Sequence, residues 1–70
     1  MRRRLSEHAG IEAGRRGIDL DAITWALAQP PHATTAGGVE VRQTVVVAYL
    51  IRVFVNTEED PAVVVTVDRT

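Results

Sequence analysis

After Gly38 the chain alternates. Val39, Val41, Val45, Val47, Ile51, Val53 and Val55 occupy odd positions, and Glu40, Arg42, Thr44 and Arg52 occupy even ones. A period of two is the signature of a strand, so the odd set is expected to share one buried sheet face and the even set to point away from it. One strand from Val39 to Val55 would be unusually long. A turn is therefore expected at Val46 to Ala48, although no Gly, Pro, Asn or Asp marks it. The next turn is better signalled: Asn56 to Pro61 carries three acids and a proline, and Val63 to Val67 follows as the last strand. Pairing Thr57 with Pro61 keeps Ile51, Val53, Val63, Val65 and Val67 on one face. It also sets Arg52 opposite Thr66 and diagonal to Asp68 on the other.

Before Pro30-Pro31 the pattern is helical. A first helix is expected to open at Ser6 as N-cap, with Glu7 at the positive end of its dipole, and to close with Arg15 and Arg16 ahead of Gly17. Gly10, Ala13, Gly14 and Gly17 form a small-residue stripe, read as a close-packing surface against another helix or the sheet. A second helix is expected from Asp19 as N-cap to about Gln29, with Ile18 and Ile23 forming a hydrophobic staple and Leu20, Ile23 and Leu27 making its core stripe. Trp25 lies roughly 140° from Leu20 around that helix. It is either half-covered by a loop or an interface anchor.

The whole is expected to be one domain over residues 1–70, of α+β class, with two N-terminal helices packed on one face of a three- or four-stranded antiparallel sheet. Composition narrows the chemistry. The chain has 70 residues and no cysteine, which excludes disulfides and thiolate metal sites, and two histidines cannot close a zinc site alone. No metal or cofactor is expected. No apolar run approaches the roughly 20 residues of a membrane helix, so the expectation is a cytoplasmic protein with no membrane contact. Through Gly17 five arginines face two acids, whereas from Ile18 three face seven, for a net charge of −1. Only the N-terminal piece is basic, too little for bulk nucleic-acid binding.

Several short motifs follow in order: Ser6-Glu7-His8-Ala9, Arg16-Gly17-Ile18, Ala26-Leu27-Ala28-Gln29-Pro30, Gln43, Tyr49-Leu50-Ile51-Arg52-Val53, Asp60-Pro61 and Val64-Val65-Thr66-Val67-Asp68-Arg69-Thr70. In order and spacing, from Ser6 to Thr70, the chain resembles a family of small bacterial proteins of unknown function. Such proteins look like relatives of the RelE, ParE and BrnT toxins. It departs from the pattern where Asp68 replaces a tyrosine and where Val46-Val47-Ala48 replaces a Gly-rich turn. The resemblance implies a RelE/BrnT-like fold, endoribonuclease activity on RNA or a degenerate form of it, and an antitoxin-like protein partner. Carried over by position, the motif residues are His8, Arg16, Gln43, Tyr49, Arg52, Thr66, Arg69 and Thr70. Metal-independent RNA cleavage needs proton transfer and cations on the phosphate. His8 would serve the first, Arg16, Arg52 and Arg69 the second, and Gln43, Tyr49 and Thr66 would bind. The alternative class is a non-catalytic interaction module that binds a partner chain, or a second copy as a homodimer, through strand edges and Trp25.

Overall fold

The computed structural model describes residues 3–70, ordered as β1 (Arg3–Leu5), α1 (Glu7–Arg16), α2 (Leu20–Ala28), β2 (Ala33–Thr34), β3 (Val39–Val46), β4 (Tyr49–Asn56) and β5 (Ala62–Arg69). The strands form one sheet in the order β1-β5-β4-β3-β2. The α+β class and the two helices stand as expected. The sheet is larger than expected and mixed, because β1 adds a parallel edge beside β5 and β2 adds a two-residue edge beside β3. Neither short edge strand has the alternation that betrays a longer one.

Both helices start as their caps require. The Ser6 hydroxyl accepts from the Ala9 amide at 3.0 Å and donates to the Val65 carbonyl at 3.2 Å, which ties the start of α1 to β5. Gly17 closes α1 in the left-handed region at φ 66°, where a side chain would be strained. Asp19 caps α2 by accepting from the Ala22 amide at 2.9 Å.

The packing faces of the helices differ from expectation. α1 buries Ala9, Glu12 and Ala13, while Gly10 and Gly14 face open space, with no atom within 4 Å of a Cβ built on either. Of the small-residue stripe only Ala13 packs, and its glycines do not. On α2 the buried residues are Ala22, Ile23 and Ala26, and Leu20 is 66% exposed. Alanines let this helix approach the valine-covered sheet closely, so its core face centres on Ala26. That leaves Leu20 and Trp25 each roughly 100–120° away on its two flanks.

The decisive difference is in register. Val46 pairs with Tyr49, leaving Val47 and Ala48 as a two-residue loop at the expected turn. Paired numbers then sum to an odd value, so even positions of β3 share a face with odd positions of β4. The helix face thus carries Ile51, Val53 and Val55 from β4 but Glu40, Arg42, Thr44 and Val46 from β3. Val45 and Val47, expected in the core, are 67% and 91% exposed. A second correction comes from a register shift between Phe54 and Val55, which moves Val64 rather than Val65 into the core and sets Val63 beside Asn56. The bulge lies on β5, where no glycine announces it. Below it Arg52 pairs directly with Asp68 rather than with Thr66.

The alternation thus holds within β3 and within β4 and fails across the turn and at the β5 bulge. Because nothing opposes a methyl group at Gly10 or Gly14, Gly10→Ala and Gly14→Ala should each stabilise the fold by about 1 kcal/mol. In thermal melts each should raise the midpoint by roughly 4–8 °C.

Candidate interaction surface

The helix face of β3 is polar, and its charges must be satisfied where they stand. Arg42 lies beneath the end of α2. Its guanidinium donates to the Gln29 carbonyl and, at 3.4 Å, to the Leu27 carbonyl, and its other nitrogens meet Glu40 Oε1 at 3.1 Å. A helix C-terminus leaves carbonyls without partners, and here a cation from the sheet supplies the donors. With side chains only 13% and 17% exposed, Arg42 and Glu40 form the lock between α2 and β3.

Among the described residues no helix covers the opposite face of the sheet. Its cross-strand rows are Val39, Asn56 and Val63; Val41, Phe54 and Thr66; Gln43, Arg52 and Asp68; and Val45 with Leu50. Arg52 grips Asp68 through two parallel bonds, Nε to Oδ1 at 2.8 Å and Nη2 to Oδ2 at 2.6 Å, and its cationic carbon lies 5.8 Å from the centre of the Phe54 ring. The hydrogen bond and charge of Asp68 hold the Arg52 cation firmly protonated. Its donor fork is occupied from within the chain.

The expected site residues fall into four places. Gln43, Arg52 and Thr66 do come together on the open face. Tyr49 and Arg69 meet at one end of the sheet, the guanidinium 4.4 Å above the ring, and Arg69 pairs with Ile51, whose side chain faces the helices. His8 is exposed on α1, and Arg16 on that helix binds Glu12 Oε2 at 3.0 Å. α1 packs on β5 from the helix side, so the sheet separates His8 and Arg16 from Arg52. Trp25 is 61% exposed on α2. Among the described residues no three His, Asp or Glu side chains cluster as metal ligands, and no helix is long and apolar enough to cross a membrane.

Strand edges are expected to bind a partner without any one being singled out, and the structure leaves part of the β3 edge open. Backbone groups along a strand point alternately to its two neighbours. Val39 and Val41 turn theirs toward β2, where their carbonyls accept from the Thr35 and His32 amides at 2.9 and 2.8 Å. Gln43 and Val45 have the same parity, but β2 stops short of them. Pro30 and Pro31 precede His32 and carry no N–H, so they cannot extend that ladder. The proline pair was the available signal.

The turn beside this edge is strained. Val47 adopts φ 59°, a conformation that β-branched residues strongly resist and that Asn or Gly would adopt readily. A valine held there, almost fully in water, contributes to neither turn chemistry nor core.

No family model, no curated protein and no solved structure matches the chain.

Two measurements probe these contacts. Arg42→Ala should cost about 2 kcal/mol in denaturant unfolding, because it strips donors from the end of α2 and leaves Glu40 without its counter-ion. Glu12 on α1 is held below the ordinary glutamate value of 4.5, chiefly by the Arg16 hydrogen bond, against burial that raises it. Its stabilisation is therefore complete above pH 4.5 and fades as pH falls through the lower folded value. The stability gap between the wild type and Glu12→Gln should be constant near neutrality and shrink only in that acid range.

Proposed function

We propose that this protein is a non-catalytic interaction module that takes a polypeptide strand along the free edge of β3. What carries this reading is the open backbone at Gln43 and Val45, left bare by Pro30-Pro31 and flanked by the exposed Val45 and the strained, exposed Val47. An added strand would find main-chain donors and acceptors at the edge and apolar side chains beside it, the chemistry of β-strand addition. Local violations of backbone preference collect where a chain does something other than fold.

The competing reading, an endoribonuclease of the RelE and BrnT kind, gains nothing from the geometry. His8 and Arg52 would have to reach one phosphate, and they stand on opposite sides of the sheet. The open face also holds its cation neutralised by Asp68, which weakens any claim on a polyanion.

The test uses tagged wild type and Val45→Pro expressed in the cells that make the protein. Proline at this edge removes only an outward N–H, so the fold should persist by circular dichroism while a strand-type contact is lost. The expected result is a polypeptide, its own second copy included, retained by the wild type and absent from Val45→Pro, with RNA left intact by both. Identical retention in the two samples would sink the reading. So would RNA cleavage abolished by His8→Ala or Arg52→Ala, which would restore the toxin assignment.

A further inference from the structure

Resting on that reading, we infer that the strand received at the β3 edge is β3 of a second copy of this chain, joined antiparallel about a two-fold axis at Thr44. The register follows from which groups are free. Gln43 and Val45 are the β3 positions whose backbone faces the uncovered edge, so a symmetric pairing must set Gln43 against Val45 of the other copy and Val45 against Gln43. Each such pair exchanges both of its backbone hydrogen bonds. Thr44 then meets Thr44 as the intervening pair without hydrogen bonds. Shifting the copies two residues either way would run one edge into β2 or past the hairpin, so a single register uses all the free groups.

Side chains suit the same register. On the open face Val45 comes beside Gln43 of the other copy, so the row Asp68, Arg52, Gln43 continues into Val45 and Leu50 across the axis. On the helix face the two threonines face one another, a favourable cross-strand pair, and Val46 lies against the stem of Arg42. No like charges are opposed, because Arg42 is already bound to Glu40 and Arg52 to Asp68 within each copy. Beyond Val46 the pairing has to end, because Val41 of the other copy is already paired with Ala33, and the turn at Val47 and Ala48 leaves the edge there. Two five-stranded sheets would thereby become one continuous sheet with the helices of both copies on one side. The contact is isologous and closes on itself, so it yields a dimer and not a fibre.

The absence of cysteine makes the register directly readable. Thr44→Cys places one thiol on the axis, and across an antiparallel pair of this type the Cα atoms stand about 4.5 Å apart, within disulfide range. Val47→Cys is the control, since its position is the more exposed but lies well away from its own symmetry mate. The full chain should run at twice the mass of one copy in light scattering at micromolar concentration. Val45→Pro should be a folded monomer, and under mild oxidation Thr44→Cys should form a disulfide-linked dimer faster than Val47→Cys. A wild-type monomer at all concentrations overturns the inference, as does a Val45→Pro dimer or equal cross-linking of the two cysteine variants. If the wild type is monomeric yet a different polypeptide is retained only when Val45 is intact, the second copy is the wrong occupant and the strand-binding reading survives. If it is monomeric and nothing depends on Val45, both fall.

Discussion

The two-residue loop at Val47 and Ala48 sets which side of β3 meets the helices, and most of the remaining architecture depends on that choice. An even number of loop residues between strands paired at Val46 and Tyr49 makes the register odd. With β4 contributing Ile51, Val53 and Val55 to the core, β3 has to present Glu40, Arg42, Thr44 and Val46 to the same side. A three-residue loop would have buried Val41 and Val45 and put Arg42 in water. The chain instead accepts charge under α2 and leaves its valines outside.

In that arrangement the half-buried charges are paired. Arg42 meets Glu40 and the last carbonyls of α2, so one side chain satisfies an acid and a helix end together. The apolar part of the core is correspondingly made of small and β-branched residues. Alanines on α1 and α2 lie against Val53, Val55, Val64 and Val67, with Ile23 as the largest side chain fully enclosed. Such packing brings helix backbones near the sheet and makes the helix-end contact within reach of Arg42.

Much of this was legible in the sequence, and the failures have one origin. Caps and stops at Ser6, Gly17, Asp19 and Pro30 act over one helical turn, and each did what local chemistry requires. Alternation within β4 is likewise local, and it correctly separated Ile51 and Val53 from Arg52. The face of β3, the place of Val65 and the exposure of Leu20 depend on how two elements meet. Parity cannot be carried through a turn of unknown length or past a bulge, since a single residue inverts it. Of the candidate site, Arg52 and Thr66 share a face as parity within the β4–β5 pair requires, whereas Gln43, of the opposite parity, joins them only because the two-residue loop inverts β3. Uniting His8 with Arg52 required a tertiary geometry that the sheet precludes.

The two outer edges of the sheet show different treatment of the same hazard. At one end β1 is three residues long and carries Arg3 and Arg4, and charge on a short strand discourages further pairing. At the other, β2 covers β3 only as far as Val41, and the prolines that stop it guard their own segment rather than the β3 backbone beyond. The side chains along that exposed stretch, Gln43, Thr44 and Val45, carry no charge, and an exposed Val47 follows in the turn. A turn optimised for folding alone would place Asn or Gly where Val47 stands, and an edge optimised for solubility would place a charge where Val45 stands. Both departures occur within three residues, at the stretch where main-chain bonds are unmade. Neither stability nor solubility accounts for either, and the strand contact proposed for this edge rests on the two together.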